Sequence, residues 1–371
     1  MFSTLLIFLV ILTVLVFVHE LGHFLAAKRS GAKVLEFGFG FPPRLFGIKR
    51  GDTVYSINWI PLGGFVRIKG ESGESSDQDS FSAQPAWKRF CILMSGVGMN
   101  MLLAIFLFAI LFSMGAPTSL DQQLPKGARV QERKIQVLRV LPDSSAEQAG
   151  LRFGDIIVSI DGQSIESVKQ VQDYNASHAN QRETVVVKRG NEQRTVSLTP
   201  TASETGKPAV WGIGLTEIGL VKFPWYQAIF YSFRSTFILA WQIIASLITL
   251  FVDLIAHQKV AAEISGPVGI AAMTGQVAQL GFLYLVQFAA LLSINLAVIN
   301  ILPFPSLDGG RILFLLVEKL RRRPTPARIE ALVHTIGFAT LLGLIALVTV
   351  RDIGQFSGKL GRFISSVLGG Q

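Results

Sequence analysis

The sequence predicts a polytopic α-helical membrane protein: four transmembrane helices, an extracytoplasmic β-rich domain inserted between the second and third, and a cytoplasmic hairpin lying on the membrane. Three observations predict it. Half of the 371 residues are apolar and 16% are charged, against roughly 25% charged in soluble domains. Near-continuous apolar runs recur at about 2–18, 91–112, 282–302 and 335–350, each close to the roughly 17–25 residues that carry a helix across the hydrocarbon core. The formal charge of +9, from 34 Lys+Arg and 25 Asp+Glu, gathers beside those runs, which marks membrane orientation rather than nucleic-acid binding. A single cysteine, Cys91, excludes an intrachain disulfide and a thiolate metal cluster.

Residues 1–28 form the first span. MFSTLLIFLVILTVLVFV lacks the basic start of a secretory signal, and Lys28, Arg29 and Lys33 follow it. It therefore stays attached, starting outside and ending in the cytoplasm; a signal cleaved near Ala26-Ala27 is the alternative. Residues 29–90 are a cytoplasmic loop, with ten Lys or Arg between 28 and 89. Within it Thr53 to Lys69 alternates about Pro61-Leu-Gly-Gly64 and reads as a membrane-associated β-hairpin. An exposed edge there would clamp an extended substrate by strand addition, with Gly63 and Gly64 at the contact; the alternative is an interfacial hairpin anchored by Trp59. The polar stretch Glu71 to Pro85 reads as a flexible loop. Residues 91–114 return the chain to the outside as the second span.

Residues 115–224 have ordinary polarity and alternate apolar and polar positions, including a hairpin turned at Gly190-Asn191. Residues 225–280 are an extracytoplasmic interfacial segment. Its first part is apolar enough for a span, but Ser232, Ser235, Gln242, Ser246, Thr249 and Asp253 fall on one side of a helix, the pattern of an amphipathic helix lying in the interface. Residues 281–308 are the third span, 309–333 a cytoplasmic loop with six Lys or Arg against two Glu, 334–351 the fourth span and 352–371 a tail.

The chemistry lies in His19-Glu20-Leu21-Gly22-His23 at the cytoplasmic end of the first span. Two imidazoles four residues apart on one helix face can share a Zn²⁺, with the intervening Glu20 as general base toward the attacking water. Chance HExxH matches occur as surface or core histidines, but ionisable residues at membrane depth are costly and by default functional. The best third ligand is Asp308, in Asn300-Ile-Leu-Pro-Phe-Pro-Ser-Leu-Asp-Gly-Gly310. Pro303 and Pro305 break the helix there, leaving irregular backbone that is tolerated at membrane depth where it lines a cavity or is buried in protein. A helix cap before Gly309-Gly310 is the alternative for Asp308. For Asp308 to meet the histidines, the third span must run inward, so 225–253 must not cross. Asn295 and Asn300, about one and a half turns apart, would offer amides to an unwound substrate backbone; interhelical polar packing is their alternative. His334, opening the fourth span, reads as interfacial rather than as a ligand.

Ala146 to Gly162, AEQAGLRFGDIIVSIDG, resembles the core signature of PDZ domains, with Gly150, Gly154 and Gly162 at tight turns; the alternative is a β-domain serving as a spacer. Taken in order, HELGH, Gly38-Phe39-Gly40, NWIPLGGFVRIKG, the PDZ signature, ISGPVGI at 264–270 and NxxPxPxLDGG closely resemble the bacterial branch of the site-2 protease family, intramembrane zinc metalloproteases of regulated intramembrane proteolysis. The resemblance implies zinc held by His19, His23 and Asp308, catalysis by Glu20, and substrate held by Asn295, Asn300 and the Pro303/Pro305 turn. It implies an endopeptidase of the inner (cytoplasmic) membrane acting on single-span membrane proteins, such as anti-sigma factors or signal-peptide remnants, after a prior extracytoplasmic cut. Its partners would be those substrates and the lipid bilayer, with no nucleic acid. A single PDZ signature departs from members that carry two. The competing class is a catalytically silent PDZ adaptor, which would need an incomplete metal set; a metal transporter would need further ligands on facing spans.

Overall fold

A computed structural model describes residues 2–71, 77–120, 124–125, 127–190, 192–201, 210–256, 266–323 and 325–368, with Ala327 and 355–368 described by backbone alone. Asn191, His257, Ile264, Ser265 and the middle of the Glu71–Pro85 loop lie outside the described residues. In chain order the elements are α1 (Phe2–Ser30), β1 (Val34–Arg50), β2 (Thr53–Ile68), α2 (Ala86–Met114), β3 (Ala116–Ser119), β4 (Arg129–Val140), α3 (Ser145–Gln148), β5 (Ile156–Ile160), β6 (Gln163–Ser164), α4 (Val168–Ser177), β7 (Glu183–Arg189), β8 (Glu192–Leu198), β9 (Ile213–Lys222), α5 (Trp225–Ala256), α6 (Pro267–Leu280), α7 (Phe282–Ile301), α8 (Asp308–Arg321) and α9 (Ala327–Leu368). They divide into two compact units, one of residues 1–106, 234–275 and 289–371, the other of 107–233 and 276–288.

Five of the described helices are long and apolar enough to cross a membrane: α1, α2, α5, α7 and residues 328–354 of α9. The four spans the sequence predicts are among them, and α5, which the sequence places in the interface, also qualifies by length and composition. Of its polar positions, Ser232 is buried, Ser235 and Asp253 are half-buried, and Gln242, Ser246 and Thr249 are exposed. The buried stripe is Ala228, Ser232, Thr236 and Ala240, while Trp225, Phe230, Phe233, Phe237, Trp241 and Phe251 point outward. Thr249 turns its hydroxyl back onto Ala245 O at 3.0 Å. Small residues at four-residue spacing let backbones approach closely, so the stripe from Ala228 to Ala240 is a packing face, with the exposed Gln242, Ser246 and Thr249 lying nearer the C-terminal end of α5.

In the first unit, β1 and β2 form a two-stranded antiparallel sheet folded back on itself. The tip pairs Arg50 with Thr53 through Phe46 with Ile57, and Glu36 to Phe39 register both with Val54 to Ile57 and with Arg67 to Gly64. The two legs of β2 around Pro61–Gly64 thus flank β1 instead of pairing with each other as the predicted hairpin requires. The reason is the turn at Gly51-Asp52, which lengthens the hairpin and makes β1 its spine. Phe37 fixes the sheet to α1, its ring 5.3 Å from Phe17 and 4.7 Å from Phe24. The far arm exposes Leu45, Phe46, Ile48 and Trp59, the large apolar surface of a segment made to contact lipid or a partner.

The second unit carries a seven-stranded sheet ordered β3-β9-β4-β5-β7-β8, with β6 beside β5. Its core gathers Ile135, Val137, Leu151, Ile157, Ile160, Val171, Val185, Val187 and Trp211. β7 and β8 pair from Glu183 with Leu198 to Arg189 with Glu192 across Gly190. Asp155, fully buried, is paired with Arg189 at 2.7 Å, and Arg189 also reaches Gly150 O. This ties two of the signature's turns to the hairpin.

Candidate metal centre

α1 presents His19, Glu20 and His23, and α2 is the surface on which they rest. His23 Nδ1 lies 2.8 Å from Ile92 O. A carbonyl only accepts, so Nδ1 carries the ring proton and Nε2 is left with a free lone pair. The Asn100 amide, fully buried, lies 3.4 Å from His19 Nδ1 through Nδ2 while its Oδ1 has no partner. A half-turn of that amide puts its oxygen on the imidazole N–H and leaves His19 Nε2 free in the same way. The helices meet closely because both are glycine at the contact. A Cβ on Gly22 would lie 2.3 Å from Ser95 O, and one on Gly96 would lie 2.3 Å from His23 Nε2.

Asp308 arrives from the start of α8. Its Oδ2 is 3.1 Å from His19 Nε2 and 3.3 Å from His23 Nε2, and the two Nε2 atoms are 3.2 Å apart. Asp308 Oδ2 is buried without a hydrogen-bond partner. Three acceptor atoms thus face one point, an arrangement that repels unless a cation lies between them. Ligands about 2.0–2.1 Å from a tetrahedral zinc stand roughly 3.3 Å apart, and these three match that spacing. His19, His23 and Asp308 are also the His/Cys/Asp/Glu group that could hold a metal ion among the described residues.

The break before Asp308 is tightly built. α7 stops at Ile301, and Cβ atoms on Gly309 and Gly310 would lie 2.2 Å from Ile301 O and 2.3 Å from Phe304 O, so the LDGG glycines allow α8 to start against the end of α7. Arg311, one turn into α8, pairs with Glu71 just past β2. β2 in turn runs along α1, where Val66 N donates to Glu20 Oε2 at 3.2 Å. Glu20 is thereby aimed by a strand amide.

The remaining predicted residues separate. Asn300 Nδ2 reaches His19 Nε2 at 3.4 Å, whereas Asn295 donates back to Leu291 O on its own helix at 3.1 Å. Pro303 is exposed and Pro305 half-buried in the turn between α7 and α8. Gly63 and Gly64 are buried against α1, a Cβ on Gly63 falling 2.5 Å from Val16 Cγ1; they serve the close approach of sheet and helix rather than a surface open to a bound chain. Asn100, Gly96, Ser95, Arg311 and Glu71 are site neighbours that sequence reasoning missed. The small residues of SGVGMN were the available signal.

The chain matches the profile of peptidase family M50 over residues 7–344. The chain belongs to that family. A Clostridium perfringens protein named as a zinc metalloprotease is 35% identical over 339 residues, covering 91% of this chain and 95% of its own length. The regulator of sigma-W protease RasP of Bacillus subtilis is 30% identical, with 95% and 98% covered, and zinc metalloprotease RasP of Geobacillus kaustophilus is 28% identical, with 94% and 97% covered. A PDZ domain of an SdrC-like protein from Listeria innocua matches 22% of this chain and 92% of its own at 35% identity, with a TM-score of 0.20. This M50 peptidase is thus a multi-pass membrane zinc metalloprotease of the site-2 type, and zinc is its cofactor.

Proposed function

We propose that this chain is an intramembrane endopeptidase that hydrolyses peptide bonds within or near the transmembrane segments of single-span proteins. The observation that carries the reading is the convergence of His19 Nε2, His23 Nε2 and Asp308 Oδ2, beside Glu20, among apolar helices. These three atoms would hold zinc. Zinc bound there supplies Lewis acidity to the scissile carbonyl and lowers the pKa of water to about 7. Glu20 accepts a proton from the water that attacks the carbonyl carbon, and returns it to the amide nitrogen as the C–N bond breaks. Val66 N–H holds one carboxylate oxygen and leaves the other for that proton.

A helical substrate must be unwound before its peptide bonds are exposed, and its freed amides then need partners in lipid. Asn300 stands at the site to supply one. Val66 N–H, on the outer leg of β2, is committed to Glu20 and marks where that leg meets the general base. An extended substrate laid along that leg would bring its backbone to the general base.

Direction of the helices supports an active site near the cytoplasmic face of an inner membrane. His23 meets Ile92 while His19 meets Asn100, so α2 runs against α1; α7 reaches the site with its C-terminal end, as α1 does. An even number of crossings must then separate α2 from α7. α6, with 14 residues, is about 21 Å long and too short to return a crossing α5. Four crossings, with α5 on the outer side and the PDZ-like domain extracytoplasmic, satisfy this. By the kinship with RasP, the substrates would be anti-sigma factors or similar single-span proteins already cut outside. The test is purified protein in detergent with a panel of single-span substrates, with and without a zinc chelator. Cleavage inside the span that stops with chelation and returns with zinc is expected; cleavage confined to soluble loops, or none, would overturn the reading.

A further inference from the structure

Resting on that assignment of Asp308, we propose that His334 of α9 is a positioning residue for the metal centre: it locks the turn between α7 and α8 in the conformation that delivers Asp308 to His19 and His23. Six residues, Leu302 to Leu307, must reverse the chain between the two helices. Within them Ser306 has φ +78°, a left-handed conformation that L side chains rarely adopt and that persists where surroundings enforce it. His334 supplies the enforcing contact. Ser306 N–H donates to His334 Nδ1 at 2.8 Å, which requires the ring proton on Nε2.

α9 braces the same turn a second time. A Cβ on Gly337, one helical turn beyond His334, would lie 2.3 Å from Pro305 Cβ and 2.7 Å from Pro305 O, so the α9 backbone abuts Pro305 directly. Phe314 of α8 packs on the His334 ring with centroids 5.5 Å apart. The imidazole is therefore held on one side by α8 and spends its acceptor on the turn that precedes α8. Packing alone does not explain the pair. Ser306 Oγ and His334 Nε2 are buried without a hydrogen bond, a cost that an apolar pair would avoid; the Glu330 carboxylate stands 4.0 Å from Nε2 on the same helix. Asp308 follows two residues later, so a change of peptide plane at Ser306 swings its carboxylate away from the imidazoles.

Zinc affinity, read by competition with a chromophoric chelator, tests this alongside kcat and KM. His334→Phe keeps the ring against Phe314 but removes the acceptor. Affinity should fall roughly 10–100-fold, the range seen for outer-shell partners of metal ligands, with kcat reduced, KM within about twofold and apoprotein unfolding little changed. His334→Asn, whose Oδ1 sits about where Nδ1 does, should recover most of the affinity. Ser306→Gly takes the left-handed torsion freely and should shrink the penalty of His334→Phe. Wild-type zinc affinity in His334→Phe, or no recovery in His334→Asn, overturns the proposal. If His334→Phe does not fold, Ser306→Pro removes the same N–H and torsion while leaving α9 intact; wild-type affinity there overturns it equally. Asp308→Asn separates the two levels. Zinc lost in Asp308→Asn but kept in His334→Phe refutes His334 alone, whereas zinc kept in Asp308→Asn removes the ligand assignment and this inference with it.

Discussion

Glu20, between the two imidazoles on α1, and Gly96, facing them from α2, are neighbours whose substitution should fail in opposite ways. Glu20→Gln retains an oxygen for Val66 N–H but cannot take a proton. Cleavage should fall by about 10²–10⁴-fold, the usual worth of a general base, while zinc stays near one per chain by elemental analysis; retained turnover would remove Glu20 from the mechanism. Gly96→Ala does the reverse, because its methyl would overlap His23 Nε2 and His19 Cε1. Zinc content should drop with helical circular dichroism unchanged, and full zinc occupancy would show that α1 and α2 can separate at no cost to the site. The HELGH and LDG residues were legible because each carries its chemistry in a local pattern. Gly96, Asn100 and His334 were not, since a glycine, an amide and a lone imidazole acquire meaning only from what another helix puts against them.

Among the elements, α5 is where length and patterning point different ways. Periodicity finds its serines and threonines on one side, but the same side-chain types serve a wet face in water and a close-packed face in lipid, and period alone does not choose. A cysteine-labelling scan in a Cys91→Ser background decides between them. Positions 180 and 256 should label only from outside and position 322 only from the cytoplasm; cytoplasmic labelling at 256 would make α5 a crossing and demand a return segment before α7. β1 and β2 are alike in this, their alternation being legible and their doubled register not, because register depends on turn geometry as well as on the apolar pattern. Strand β7 carries a separate, titratable weakness. Burial pushes the Glu183 carboxyl above its ordinary 4.5, opposed by the bond from Trp211 Nε1 at 2.8 Å. A group raised in the folded state stabilises fully below its unfolded pKa and loses that contribution as pH climbs through the folded one. Glu183→Gln, which keeps the Trp211 bond, should therefore raise the melting temperature at neutral pH by a few degrees and leave it near wild type at about pH 4; no gain at neutral pH would mean that the buried carboxylate is solvated in the native state.

At the scale of the whole molecule, the β-domain of the second unit has adjoining ends. Its first and last strands pair from Ala116 with Val221 to Ser119 with Ile218, and Leu120 N bonds Glu217 O at 2.8 Å. Its core is its own, and none of the candidate zinc ligands or Glu20 belongs to it. It supplies neither a zinc ligand nor the general base, and we propose that it acts on which substrates are admitted. A folded domain tethered beside a substrate path excludes bulk without needing sequence specificity, whereas strand addition to a PDZ-like groove selects termini. If, as proposed, the substrate arrives already trimmed, exclusion would admit it and reject the untrimmed form. Removing residues 121–216 and joining Leu120 to Glu217 by a short glycine-serine linker leaves the β3–β9 pairing in place. The shortened protein should cut a trimmed single-span substrate at close to the wild-type rate and begin to cut an untrimmed one that the intact protein rejects. A stable, zinc-loaded deletion that cuts neither would mean that the domain delivers substrate, and exclusion would be wrong.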